Sequence, residues 1–184
     1  FQSVGRGAAL LLNLPPDRRG RIHETDAAAL QGFRRRLDGI FLDNLARRAV
    51  RIAASGVRGK DPRFAPERLL DGDSVGYWST DDGATRGEVQ FEFEVPVTFN
   101  VVSVREHLPL GQRVDGFSID VGCKCRWVEY ARGTSVGRRR LIRGPACVTD
   151  RVRLRVEGPV CPALSELALY MDTGADKEEM HEQA

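Results

Sequence analysis

From about residue 48 the chain alternates. Val89, Phe91, Phe93 and Val95 are separated by Gln90, Glu92 and Glu94. Phe117, Ile119 and Val121 are separated by Ser118 and Asp120, and Val152, Leu154 and Val156 by Arg153 and Arg155. Successive side chains of a strand point to opposite faces, so this pattern predicts strands with one buried and one wet face. Val50 to Ala54, Phe99 to Val104, Arg126 to Ala131, Arg139 to Arg143 and Leu164 to Tyr170 are further candidates. The total is about eight short strands, mostly separated by Gly, Pro or Asp, which predicts a mainly β fold, an antiparallel sandwich or jelly roll.

The first 47 residues follow a different rule. Leu10-Leu11-Leu12 is a short apolar run that fits a fully buried strand, ended by Pro15-Pro16 and a turn over Asp17 to Gly20. Residues 25 to 43 read as a helix capped by Thr25 or Asp26. Leu30, Phe33, Leu37, Ile40 and Phe41 recur at spacings of three and four and form one apolar stripe. Arg34, Arg35 and Arg36 fan over the flank and back, either as a solvated face or as a basic patch. The stripe needs a partner surface that one short strand cannot supply.

Composition narrows the function. Lys plus Arg is 28 against 26 for Asp plus Glu, a net charge of +2. Nucleic-acid binding normally shows a strongly basic stripe, so no nucleic-acid partner is expected. No apolar run approaches the ~18 residues of a membrane helix, so no membrane partner is expected either. Cys123, Cys125, Cys147 and Cys161 lack the spacing of a metal site; they are free or buried thiols, or one or two disulfides. His23, His107 and His181 stand far apart, and no Ser or Cys has an identifiable base beside it, so a hydrolase triad is not supported. Gly5-Arg6-Gly7 precedes a strand instead of following one and is no phosphate loop. The first residue is Phe1, which suggests a fragment or a processed product.

Four separated stretches, in order, resemble one family. Gly5-Arg6-Gly7-Ala8-Ala9-Leu10-Leu11-Leu12-Asn13-Leu14-Pro15-Pro16-Asp17 is similar to the segment that closes the catalytic barrel of plant-type α-L-fucosidases, glycoside hydrolase family 29. Gly111-Gln112-Arg113-Val114, following Glu106, resembles a motif of that family's C-terminal β-sandwich. Gly133-Thr134-Ser135-Val136-Gly137 with Arg139-Arg140-Leu141, and Ala163 to Tyr170, resemble its later stretches. The resemblance covers residues 1 to about 170. It implies a remnant of a (β/α)8 barrel edge over 1–47, its last strand and last helix. A galactose-binding-like, discoidin-like sandwich would follow over 48–171; beyond it the polar run from Asp172 to Glu179 itself predicts a flexible tail over 172–184. It also implies that the helix stripe faces a barrel that this chain does not contain, since a barrel takes roughly 250 residues.

The resemblance further implies retaining hydrolysis of terminal α-L-fucosyl linkages by the intact enzyme, with fucosylated glycans or cell-wall oligosaccharides as partners. Both catalytic carboxylates of the family lie in the barrel, upstream of these residues, so no catalytic residue is assigned. Glu24, Asp26 and Asp38 lie on or beside the helix, away from the strand ends where barrels place chemistry. Asn13 ends the expected strand on the catalytic side, to shape a pocket or to stabilise a turn. Discoidin-like modules carry a loop similar to Asp71-Gly72-Asp73, often with a structural calcium; Asp71, Asp73 and Glu166 are the implied ligands, the alternative being an Asp-Gly turn. Tyr77 and Arg113 are the candidates for carbohydrate contact, Tyr77 by stacking and Arg113 through its planar fork, unless Arg113 bridges strands. Trp78 is a stacking residue or part of the core. Family habit implies secretion to the cell wall or a vacuolar site. The rival readings are a free-standing carbohydrate-binding module and a protein-interaction sandwich that uses the helix stripe.

Overall fold

A computed structural model describes residues 1–73 and 75–174. One helix, α1 (Glu24–Phe41), precedes seven antiparallel strands. They are β1 (Ala49–Ala54), β2 (Trp78–Ser79), β3 (Arg86–Glu106), β4 (Gly116–Cys123), β5 (Arg126–Gly133), β6 (Arg140–Glu157) and β7 (Ala163–Tyr170).

The expected strands at 89–95 and 99–104 are one strand, β3, and those at 139–143 and 152–156 are one strand, β6. The prolines that seemed to separate them sit in bulges. Between the pairs Glu92↔Arg151 and Val97↔Thr149, residues 93 to 96 stand opposite Asp150 alone. Between Phe99↔Cys147 and Val101↔Arg143, residues 144 to 146 stand opposite Asn100. Pro96 and Pro145 therefore occupy positions where the ladder is already interrupted and no N–H is required.

The bulges let both long strands turn a corner. Their halves serve two leaves: β5–β4–β6–β3–β1 uses the first half of β3 and the last half of β6, and β2–β7–β3–β6 uses the others. Phe91, Ile119 and Leu154 from one leaf meet Val102, Leu167, Leu169 and Trp78 from the other in a single core. Each such side chain contributes about 1.5–3 kcal/mol by leaving water. β7 departs from half-burial: all eight of its residues are buried. Its second face, through Ala168 and Tyr170, packs with Val101 against Ile40, Phe41 and Leu141.

The N-terminal zone departs from expectation. Leu10 to Leu12 form no strand, and Leu11 is 94% exposed. No strand among the described residues pairs with this run, and an unpaired strand leaves its backbone groups to water. Leu10, Leu12, Asn13 and Leu14 instead lie along Leu30 and Phe33 of α1 in a shallow apolar groove. The α1 N-cap is His23, whose Nδ1 accepts from the Thr25 amide at 3.2 Å, two residues before the first of the expected caps. The C-terminal end of the stripe packs on the sandwich: Ile40 is buried, and Phe41 meets Tyr170 edge-on at 5.1 Å. The turn at 17–20 forms as expected, Gly20 donating to the Asp17 carbonyl at 2.9 Å. The expected tail is tied down at its start. Asp172 is buried, pairs with Arg143 and exchanges two hydrogen bonds with Asn100, of 2.9 and 2.7 Å. The remainder of that tail, 175–184, lies outside the described residues, as does His181. All four cysteines are free thiols.

Candidate functional site

The end of β3 places Glu106 under two loops. Its side chain is buried, and its oxygens accept from the amides of Arg113 at 2.7 Å, Val114 at 2.9 Å and Gly137 at 2.5 Å. Burying a carboxylate is costly unless donors surround it, and three backbone N–H groups do so here. Gly158 packs so closely on the Arg113 carbonyl that a Cβ there would collide with it. Glu106 thus fastens the Gly111–Val114 stretch to the Gly133–Gly137 stretch. Sequence reasoning noted Glu106 only as the residue before a motif; a lone acid closing a run of buried valines was the available signal.

A cleft of about 670 Å³ adjoins this hub, between the Val4–Ala9 segment and the sandwich. Gly7, Leu108, Pro109, Arg138, Arg139 and Ser165 are among its lining residues. All four stretches recognised in the sequence therefore contribute to it or to the loops beside it. Gly7 adopts φ +81°, a left-handed conformation that glycine takes without strain, which turns the segment over Arg138.

Arg113 is spent on the fold. Its guanidinium donates to the carbonyls of Leu110 at 3.2 Å and Cys161 at 3.3 Å and lies 3.0 Å from the Cys161 sulfur. It bridges loop and strand end, the second of its two expected roles. Tyr77 is half-buried, stacked on His107 at 4.1 Å and tilted against Phe64 at 5.2 Å. Arg58 and Arg63 lie over the Phe64 ring. His107 is buried, and its Nδ1 has no hydrogen-bond partner. Arg58 pairs with Asp82 at 2.8 Å. Tyr77 and Arg113 thus belong to one edge of the sandwich, joined through His107 and the turn that follows it. Trp78 is fully buried in the core and donates to the Gly56 carbonyl at 3.0 Å, so it is not a stacking platform.

The three implied calcium ligands do not form a metal cluster. Among the described residues no group of three or more His, Cys, Asp or Glu side chains is placed to hold a metal ion. Asp71 pairs with Arg68 at 3.1 Å, and Asp73 accepts from the Val75 amide at 2.9 Å, as an Asx turn does. Glu166 is buried elsewhere, accepting from the Ser103 hydroxyl at 2.8 Å and lying 3.5 Å from Arg105. Each carboxylate already has its cation or donor, so the loop does not fit calcium.

A second cleft, of about 680 Å³, lies on the outer face of the first leaf. Its charges cancel locally. Buried Asp120 takes Arg153 at 2.9 Å and Arg155 at 2.8 Å, and Glu129 takes Arg132 at 2.7 Å. Arg132 holds the Glu129 carboxyl below the usual carboxylate range. Two of the helix carboxylates are likewise engaged and exposed, Glu24 with Arg19 at 2.7 Å and Asp38 with Arg34 at 2.8 Å, while Asp26 is half-buried along the apolar groove of Leu10 to Leu14.

Comparison with known proteins gives a consistent outcome. No protein-family model matches the chain. Alpha-L-fucosidase 1 of Arabidopsis thaliana is 34% identical over 177 residues, covering 94% of this chain and 35% of that protein. A Ruminococcus gnavus GH29 fucosidase, solved in complex with fucose, superposes with a TM-score of 0.87 at 29% identity, over 93% of this chain and 35% of that one. A chitosan-binding module from a Paenibacillus chitosanase/glucanase superposes at 0.59 with 21% identity, over 69% of this chain and 97% of the module, a likeness of fold. The chain spans about a third of the length of the fucosidases it matches.

Proposed function

We propose, for a chain that matches the C-terminal region of α-L-fucosidases of glycoside hydrolase family 29, that it serves as the accessory β-sandwich of such an enzyme. In this reading the intact enzyme hydrolyses terminal α-L-fucosyl linkages with retention, and the rest of the polypeptide supplies both reacting carboxyl groups. Retention needs two such groups about 5–5.5 Å apart on either side of the sugar. Glu24 and Asp38 of α1 are exposed and paired with arginines, and Glu106 has its oxygens occupied by amides. The exposed end of the α1 stripe, with Phe33, is the face we assign to the barrel.

The observation that carries this reading is similarity over nearly the whole chain, with the recognised stretches meeting around Glu106 and the adjoining cleft. Their shared role is to hold the Val4–Ala9 segment, the expected barrel edge, against the sandwich. Replacing the matching third of the Arabidopsis enzyme with this chain is expected to give a protein that cleaves a chromogenic α-L-fucoside. The 184-residue chain alone is expected to give no turnover. A soluble, folded chimera without activity, or turnover by the chain alone, overturns the assignment.

Glycan contact is a second part of the proposal, supported by the Phe64–Tyr77–His107 ledge. Aromatic faces flanked by guanidinium groups suit the apolar faces and hydroxyls of a sugar ring. Binding of a fucosylated oligosaccharide that is lost in Tyr77→Ala supports it; unchanged binding removes Tyr77 from the surface.

A further inference from the structure

The cleft beside Glu106 holds more positive charge than its surroundings neutralise. Arg105, Arg138 and Arg139 line it together with a single carboxylate, Glu106. Both Glu106 oxygens are taken by backbone amides. Arg105 faces Glu166 at 3.5 Å. Arg138, which is exposed, and Arg139 have no ion pair or hydrogen bond from their guanidinium groups among the described residues, and the Arg139 Nε is shut off from water without a partner. By contrast, Arg153 and Arg155 are both matched by the buried Asp120. The rest of the lining includes small and apolar groups: Gly7, which approaches the Arg138 Cβ, then Ala8, Ala9 and Pro109. Guanidinium groups without a carboxylate thus share one cleft with small apolar groups, a combination that suits an oxyanion carried on a ring.

We propose that this cleft binds an acidic sugar, its carboxylate held by the guanidinium groups of Arg138 and Arg139 and its ring laid against Ala8, Ala9 and Pro109. The anion preference rests on the charges in the cleft; the expectation of a saccharide rests on the function proposed above. Because the site is separate from the Tyr77 ledge, it selects the charged residues of a glycan and leaves the neutral ones to other contacts.

Calorimetric titration of the 184-residue chain with D-galacturonate, D-galactose and inorganic sulfate tests this. Galacturonate is expected to bind, sulfate to compete with it, and galactose not to bind; raised salt weakens the binding. Arg138→Gln and Arg139→Gln are each expected to weaken galacturonate binding about tenfold or more, and Arg138→Lys to recover part of it. Arg138 is exposed, so its variant keeps the test open if Arg139→Gln fails to fold. Equal binding of galactose, or sulfate binding without galacturonate, overturns the acidic-sugar assignment. Absence of all anion binding, or affinity unchanged in both variants, overturns the site. Fucoside cleavage by the chimera is read separately, so failure here is distinguishable from failure of the fucosidase reading.

Discussion

A carboxylate shut away from water needs donors around it, and the amides that Glu106 meets come from two separate loops. Glu106→Gln turns an amide N–H₂ toward backbone N–H groups on at least one side. It is expected to cost about 3 kcal/mol, against about 1 kcal/mol for Arg113→Ala, which loses contacts to two carbonyls and the Cys161 sulfur and leaves no buried charge unpaired. Urea denaturation of the two variants checks the order; equal midpoints would refute the hub. Tyr130 offers a second residue-scale test. Burial pushes its phenol up to about 12, with the nearby Cys147 thiolate adding to the shift. A raised acid pKa in the folded state leaves stability intact below pH 10, where neither state ionises. Above that the unfolded phenol ionises first, so stability is expected to fall between pH 10 and 12. Tyr130→Phe should flatten that fall in melts at pH 9 to 12, at the cost of the hydrogen bond to the Pro145 carbonyl.

At the scale of elements, α1 divides its stripe between a packed end and an open one. Ile40 sits among Val101, Ala168 and Tyr170, while Phe33 remains exposed beside Leu10 and Leu12. Ile40→Ala is therefore expected to cost about 2–4 kcal/mol, and Phe33→Ala less than about 0.5 kcal/mol in this chain. Thermal melts of the two variants read the difference directly. The spacing of Leu30 to Phe41 was legible as one helical face, but not where along that face the sandwich would stop covering it. The strands show the same division. Alternation around Phe91, Ile119 and Leu154 marks the core correctly, because each inward residue meets the opposite leaf. It misreads β7, whose two faces are covered by different partners, and it splits β3 and β6 at Pro96 and Pro145. A proline read in sequence ends a strand; only the three-dimensional register shows that it falls where no hydrogen bond is missing.

For the whole molecule, the sandwich is held by its core and by the buried links Glu106, Asp120 and Asp172, each matched by amides or arginines. No assembled carboxylate trio remains for calcium among the described residues. Melting in chelator and in added calcium is expected to give one transition temperature; a rise with calcium would restore Asp71, Asp73 and Glu166 as ligands. The same scale decides the reach of the family likeness. The chain covers about a third of the fucosidases it matches, and over that third the Val4–Ala9 segment lies against the sandwich.

The sequence by itself determined the periods, and hence one amphipathic helix followed by an antiparallel β-sandwich, because alternation and helical spacing are local consequences of backbone geometry. It also carried the likeness to fucosidases, through ordered stretches that can be read without knowing their contacts. The tertiary structure alone decided which polar residues are occupied. It put Arg113 on carbonyls, Glu166 on Ser103 and Arg105, and Trp78 into the core, and left Arg138 and Arg139 without carboxylates. A charged side chain is defined chemically by its neighbours, and those neighbours come from strands dozens of residues away in the chain.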